Sequence, residues 1–452
     1  MIQWFNDNII WGIPMLIIYL LTGAVFTVKL RFSQFTGLKR IFKATLFSKE
    51  EKGSDGKNLT PLQTLTSALA TTLGTGNIVA VGAAVAIGGA GAVFWMLLSA
   101  FLGMATCYAE NVLGMKYRRQ RPDGSWFGGA FHYITAAFGT DKAGKLYALL
   151  CVVAAVGMGN MTQINALSSS LNSAFDIPTW LSGIAAAAVL AILIFGGVRL
   201  FGKVTEKLIP AVSAVYIIGC IAVIAINITS VPTALLRILT EAFDIRAAAG
   251  GVFGSVMIKG MSWGFRRGIF SNEAGIGSTV MLNTATSSDD PEKQGMWAML
   301  QVFFDTIVMC TLTAVTLLVT GADKAASDGI TNAVYAFSPV FGDFSAAFVA
   351  IAITLFAITT TAGWSVYGSS SLEYLTGGKG RTVYRLIFVG ATVIGATMKL
   401  ETIWQFCDLL NGIMAIPNLP AILILSSQVT LPTTLIRTSS KCKRKPSKTP
   451  AA

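Results

Sequence analysis

The sequence predicts an all-α membrane protein of about eleven spans: one extra N-terminal helix followed by two five-helix units in inverted repeat. Three observations carry this. Of 452 residues, 53% are hydrophobic and 12% charged, about half the charge of an ordinary soluble domain, with a mean hydropathy of +0.64. Such a chain cannot cover its own surface with water-compatible groups, so its solvent is largely lipid. Apolar runs long enough to cross a hydrocarbon layer of ~30 Å, which takes about 20 residues, recur along its length. Two of these runs are interrupted by polar, glycine-rich stretches, one at the start of each five-helix unit.

The apolar runs fall at 9–30, 62–88, 91–115, 146–170, 180–198, 207–228, 250–285, 297–320, 345–375, 384–398 and 402–427. They divide the chain into an extra helix with a basic loop (1–60), a first unit (61–230), a second unit (231–430) and a basic tail (431–452). The first run is preceded by Asp7 and no basic cluster, which marks a retained span rather than a cleaved signal. Five helices reverse the direction of travel, so two consecutive five-helix units have opposite orientations. That layout puts substrate and coupling ions midway, at the interface of the repeats.

Orientation follows from lysine and arginine. Loops on one face carry Arg31, Lys39, Arg40, Lys43, Lys49, Lys52 and Lys57, then Lys116, Arg118, Arg119 and Arg121, then Arg199, Lys203 and Lys207, then Lys379, Arg381 and Arg385. The other face has Arg237, Arg246, Lys324 and Lys399. The positive face belongs in the cytoplasm. This places the N-terminus outside and the tail with Lys441, Lys443, Arg444, Lys445 and Lys448 inside, in a multi-pass protein of the cell inner (plasma) membrane. The net charge of +12 is therefore an orientation signal rather than a nucleic-acid footprint. The partner it implies is the lipid bilayer, with no obligatory protein partner.

Enzyme chemistry finds no footing. The six cysteines are scattered without a CxxC pair, and His132, the single histidine, is expected to cap or pack a loop. Gly74-Thr75-Gly76 lacks the third glycine of a dinucleotide fingerprint, and no Walker or GxSxG motif occurs. Uphill work by this chain would draw on an ion gradient.

In the second run, Gly74-Thr75-Gly76-Asn77 interrupts the apolar pattern beside Thr71 and Thr72. Glycine costs about 1 kcal/mol of helix propensity, and irregular backbone at membrane depth survives only where it is buried in protein or lines a polar cavity. A break there frees amides that attract a carboxylate and carbonyls that suit a small cation, with Asn77 able to add an oxygen. The alternative is a glycine face for close helix packing. The seventh run has the same character around Gly268, Phe270, Ser271, Asn272, Glu273, Gly275 and Gly277. Glu273, a charge in a span, is a functional candidate by default, or else the partner of Arg266 or Arg267.

Further polar residues lie at membrane depth. Asn160 and Gln163 are three apart and share a helical face, suited either to an amino-acid ligand or to interhelical bonding. Thr360 and Thr361 follow Ala357 by three and four residues, a spacing at which hydroxyl and carbonyl oxygens complete a sodium shell. Bonding of those hydroxyls back to their own helix is the other reading. Trp364 and Tyr367 lie about a turn further on, where they could shape a pocket wall. Glu110, Asp305 and Asp408 are intramembrane carboxylates without an assigned role.

Three stretches, GTGNIVAVGAA (74–84), GFRRGIFSNEAGIGS (264–278) and NGIMAIPNLPAI (411–422), resemble the alanine or glycine:cation symporter family. The resemblance covers essentially the whole chain and implies a LeuT-type fold with one added N-terminal helix. It implies sodium (Na+) symport of a small neutral amino acid, alanine or glycine, by alternating access, with proton coupling through Glu273 as the alternative. It further implies that the amides of Gly74, Thr75 and Gly76 hold the substrate carboxylate, and that Asn77 belongs to a first sodium site. Carbonyls of Ala70 and Leu73, with Ala357, Thr360 and Thr361, form a second, and Gln163 and Phe270, Ser271 and Asn272 touch the amino acid.

Overall fold

The computed structural model describes residues 2–48, 58–243, 253–326 and 328–432. Lys49, Lys52, Lys57, Arg246 and the predicted tail beyond Pro432 lie outside them.

Helix stands at every predicted apolar run. The helices are α1 (Ile13–Lys29), α2 (Pro61–Thr72), α3 (Val79–Gly88), α4 (Gly91–Tyr117), α5 (Ala130–Phe138), α6 (Asp141–Val156), α7 (Thr162–Phe175) and α8 (Thr179–Ile226). They continue as α9 (Val231–Ala242), α10 (Phe253–Asn272), α11 (Pro291–Val302), α12 (Thr311–Thr320), α13 (Gly329–Phe341), α14 (Ser345–Thr376), α15 (Arg381–Thr397) and α16 (Leu400–Ile424). Among the described residues, six helices are long and apolar enough to cross a membrane, or up to eight if two bent pairs each count as one span.

Local chemistry sets several starts. Thr60 and Gln63 form a capping box at α2, with Pro61 in the first turn, and the Asp290 carboxylate accepts from the amides of Glu292 and Lys293 before α11. Both satisfy backbone donors that a helix start leaves orphaned.

Packing divides the helices around two long axes. α1, α9, α10 and α11 pack on α4, whereas α6, α7, α8 and α2 pack on α14. The α2–α3 pair lies between them: α2 touches α8 and α14, and α3 touches α10 and α13. The first interrupted helix is thereby held in the protein interior, where unpaired backbone is tolerable.

One expectation needs correcting. The basic loop expected between the fifth and sixth runs is a kink: two helices join within α8 at Gly197 (φ 75°, ψ −178°), the one residue there that leaves helical geometry, and Arg199, Lys203 and Lys207 ride on the helix after it. Those dihedrals belong to glycine almost alone, at about 1–3 kcal/mol for another residue. A Cβ there meets nothing within 4 Å, so Gly197→Ala is expected to lower the melting temperature by a few degrees through strain alone, read by a thermal-shift assay on purified protein. Beyond the predicted runs, α13 is ended by Gly342 (φ 53°) and is seated on α3 where Gly82 meets Gly329. The Glu241 side chain of α9 caps the amide of Ala90 at the head of α4 (2.7 Å). His132 packs, edge-on, among Phe127, Phe131 and Tyr374.

Candidate functional site

The first interruption stands where the glycines place it. α2 ends at Thr72, Leu73 and Gly74 are non-helical, Thr75–Asn77 forms one tight 3-10 turn, and α3 starts at Val79. The two halves meet at 59°. Gly74 has negative φ (−123°), so conformation does not demand glycine there. Space does: a Cβ would lie 2.7 Å from Thr360 Oγ1 and 2.8 Å from Gln163 Oε1.

Those two atoms mark two sites. The Thr75 amide and hydroxyl both donate to Gln163 Oε1, at 3.0 and 2.9 Å, so a neutral amide oxygen occupies both donors of the turn. The Gly74 amide is turned inward, donating to Asn77 Oδ1 (3.0 Å) and to the Thr72 carbonyl (2.8 Å). On the other side of Gly74, Thr360 Oγ1 donates to the carbonyls of Ala70 (3.0 Å) and Leu73 (3.3 Å), which the end of α2 leaves free. Next to it, Thr361 Oγ1 is fully buried without a hydrogen-bond partner. A buried orphan hydroxyl calls for an explanation, and a cation supplies one: hydroxyls and carbonyls are the donor set of hard cations. Ala357, one turn earlier on α14, is also fully buried. Thr359, by contrast, bonds back to Leu355 and Phe356 on its own helix.

A third cluster surrounds Asn77. Its amide nitrogen donates to Asp305 Oδ1 (2.8 Å) and Ser271 Oγ (3.1 Å), and it touches Cys310 Sγ (3.3 Å). Asp305 comes from the π-helical turn Phe303–Cys310 between α11 and α12; such bulges are frequent at functional sites. Its other oxygen accepts from Ser271 Oγ (2.8 Å) and Thr306 Oγ1 (2.7 Å). Asn272 donates to Thr306 (3.1 Å) and accepts from the Ala274 amide (3.0 Å).

The second interruption follows α10. Glu273 (φ 59°), Gly275 (φ 89°) and Gly277 (φ 74°) take positive φ, and the turn is satisfied by side chains from three helices. Glu110 of α4 faces the amides of Gly275 and Gly277. Asn418 of α16 donates to Glu110 (2.6 Å) and to the Gly275 carbonyl (2.9 Å), and Tyr147 donates to the Ile276 carbonyl (2.7 Å). Glu273 accepts from the Ser278 hydroxyl and the Trp364 indole. The expected alternative, that Glu273 pairs with Arg266 or Arg267, does not hold. Those guanidiniums point to the other side of α10, where both pair with Asp408 (2.6 and 3.0 Å) and Arg266 also reaches Asp7 (3.0 Å).

Asn160 and Gln163 do not share a face. Asn160 lies inside the π-helical turn Gly157–Met161 and Gln163 in the α-helix after it, so the change of pitch turns one against the other. Asn160 goes to α15, donating to the Phe388 carbonyl (2.6 Å) and accepting from Thr392 (3.1 Å). Trp364, fully buried, fills the space over Gly159 against Tyr367. Phe270 lies over Gly76, whose Cβ would come within 3.3 Å of its ring, and packs on Trp404 with ring centroids 4.8 Å apart. A cavity of about 530 Å³ reaches Ala362, Ser365 and Ser369 of α14, with Phe201, Arg121 and Arg385 in its wall. The role of Glu110 and the convergence on Asp305 escaped the sequence.

An interrupted helix buried between two packed groups, with its amides and carbonyls meeting separate oxygen-rich clusters, is the arrangement of a secondary transporter. The fold is similar to that of MhsT, solved in complex with L-phenylalanine, which superposes with a TM-score of 0.59 over 81% of this chain and 90% of that one, at 12% identity. The chain belongs to the sodium:alanine symporter family, whose sequence profile matches residues 1–449. It is 37% identical to the sodium/alanine symporter AgcS of Methanococcus maripaludis, over 94% of each chain. It is 33% identical to the probable sodium/glutamine symporter GlnT of Bacillus subtilis, over 94% of this chain and 87% of that one. It is thus a multi-pass, sodium-coupled amino-acid symporter and not an enzyme.

Proposed function

We propose that this symporter imports a small neutral amino acid, alanine or glycine, with two sodium ions by alternating access. One observation carries the reading. Thr360 ties together the carbonyls released by the first interruption while the Thr361 hydroxyl beside it stays buried and unpartnered. Sodium bound there would join α14 to the broken α2–α3 helix, whose second half packs on α10 of the other group, and so link ion binding to the relative position of the two groups. The substrate carboxylate would displace Gln163 Oε1 from the Thr75 amide and hydroxyl. Phe270 over Gly76 and Trp364 over Gly159 leave room for a small side chain, which favours alanine or glycine over glutamine.

With the basic loops in the cytoplasm, the N-terminus outside and eleven spans in a 5+5 inverted repeat, the conformation is inward-facing. The cavity beside α14 has cytoplasmic arginines in its wall, while Arg266, Arg267, Asp408, Phe270 and Trp404 close the opposite side.

The test is uptake of labelled alanine into proteoliposomes driven by sodium, lithium, choline or a pH jump. Uptake that needs sodium supports the reading. Uptake driven by the pH jump without sodium makes Glu273 the carrier of a proton instead, and uptake with choline alone leaves a uniporter. Within the sodium reading, Thr361→Val removes one oxygen ligand and is expected to raise the half-saturating sodium concentration about tenfold, or ~1.4 kcal/mol, with folding intact. An unchanged sodium curve removes Thr361 from the site.

A further inference from the structure

Four arginines, Arg121, Arg199, Arg381 and Arg385, line the cavity beside α14. Arg121 follows α4 on a short hairpin, Arg119–Gln120 paired with Trp126–Phe127. Arg199 stands just past the Gly197 kink of α8, and Arg381 and Arg385 lie one turn apart at the start of α15. Their charges are not balanced. Glu373, near the end of α14, takes Arg121 on both oxygens (2.6 and 2.9 Å) and Arg381 on one of them. Asp123, also in the wall, accepts from the Ser125 amide and hydroxyl (2.9 and 2.6 Å). Among the described residues the arginine ion pairs of this region are those with Glu373, which leaves Arg199 and Arg385 without one. The Nε atoms of Arg381 and Arg385 are buried without a hydrogen-bond partner. Like charges four residues apart destabilise a helix, and a cation at its positive N-terminus does so again. α15 starts at Arg381 with no side-chain cap and no acidic residue in its first turn. A basic residue that only orients the chain needs to lie on the correct side of the membrane; these converge on one cavity from three elements.

The cavity is also amphipathic. Leu193, Ile194, Val198 and Phe201 of α8 and Val366 of α14 give it an apolar wall. The same stretch of α8 carries Ile192 and Phe195 exposed, as lipid-facing residues are. We propose that this cavity binds a phosphate group at Arg385, Arg381 and Arg199, presented by an anionic phospholipid of the cytoplasmic leaflet whose acyl chains lie along α8. A guanidinium fork matches two phosphate oxygens, and basic pockets between spanning helices on the cytoplasmic side take lipid headgroups. A phosphate free in solution shares the recognition by arginine; the apolar wall favours one that carries acyl chains. The bound anion gathers the hairpin, the α8 kink and the start of α15, and so steadies the cavity in its open form. The site uses no residue of the first interruption and stands whichever ion drives uptake. It rests on the transport reading only for the cytoplasmic placement of its arginines.

The experiment uses the full-length protein in detergent, without amino acid, and reads its thermal stability at constant ionic strength and constant sodium. Dioleoylphosphatidylglycerol, dioleoylphosphatidylcholine, inorganic phosphate and acetate are titrated in separate arms. The wild type is expected to be stabilised by phosphatidylglycerol and not by phosphatidylcholine. Arg385→Gln is expected to raise the half-effective phosphatidylglycerol concentration about tenfold, as the loss of one charge-assisted contact would, and Arg199→Gln to raise it by less. Lys142→Gln removes an exposed basic charge outside the cavity and is expected to respond as the wild type does. Stabilisation by inorganic phosphate that is lost in Arg385→Gln also supports the site, with the free ion as its source. Three results overturn the proposal. Acetate matches phosphate through Arg385, which makes the site one for carboxylates; Lys142→Gln weakens the lipid response as much as Arg385→Gln, which makes it general charge attraction; or neither source of phosphate gives a response that depends on Arg385. Arg199 is exposed, so Arg199→Gln keeps the test decisive if Arg385→Gln fails to fold. Failure of the transport reading looks different: wild-type uptake itself would not need sodium.

Discussion

Gly74→Ala is expected to reduce amino-acid uptake at least 100-fold while leaving the protein in the membrane. The added methyl would stand 2.7 Å from Thr360 Oγ1 and 2.8 Å from Gln163 Oε1, both closer than any real carbon contact, so something must move. What can move matters. Thr360 Oγ1 spans the Ala70 and Leu73 carbonyls, and displacing it opens the proposed sodium cluster. Gln163 Oε1 holds the amide and hydroxyl of Thr75, and displacing it closes the space a substrate carboxylate would enter. A loss of 100-fold corresponds to about 2.7 kcal/mol, modest for a methyl that strikes both clusters. The measurement is alanine uptake normalised to the amount of reconstituted protein, with size-exclusion behaviour as the folding control. Wild-type uptake in this variant would mean that neither cluster takes part in transport. Gly197→Ala is the contrast: there the glycine is needed for its dihedrals, nothing crowds it, and stability rather than transport should register the change.

The contrast also shows what a linear sequence can tell. The interruption at Gly74–Asn77 was legible because a glycine-rich, hydroxyl-rich stretch in the middle of an apolar run has few stable alternatives in hydrocarbon. In the Ala357–Thr360–Thr361 spacing, separations of three and four residues keep their meaning because α14 is an unbroken helix. Where a π-helical turn intervenes they do not. Gly157–Met161 sends Asn160 to α15 and leaves Gln163 alone at the break, and Phe303–Cys310 carries Asp305 to Asn77. A single extra residue in a helical turn leaves no mark that periodicity can read. Nor could helix spacing have found the partner of Arg267, which lies 141 residues away in α16, or that of Glu110, 308 residues away at Asn418. Those pairings are decided by which helices pack together, and the sequence gives the polar members without the meeting.

Removing the charge of Asp408 should have the largest effect on stability. Its carboxylate is the shared partner of two adjacent guanidiniums, Arg266 and Arg267, and all three side chains are buried. The arrangement is tightly built: the Arg267 guanidinium also stacks over Trp404 at 4.5 Å, and Trp11 donates to the Asp408 backbone carbonyl at 3.0 Å. Breaking a buried pair from one side typically costs ~3–5 kcal/mol, because the partner keeps its charge without compensation. In Asp408→Asn two such charges remain, with Asp7 near one of them only. The expected result is a large fall in melting temperature in detergent and a matching fall in protein recovered from the membrane. Arg267→Gln in the Asp408→Asn background takes away one of the stranded cations and should recover part of the loss, whereas two independent lesions would add. If the double variant is as unstable as the sum of the singles, the pair is not coupled. The same cycle bears on transport, because these residues tie α10, which carries Phe270 and Ser271, to α16. In the proposed alternating-access cycle, opening on this side would separate Asp408 from both arginines. A double variant that is restored in stability should therefore still differ from the wild type in uptake rate.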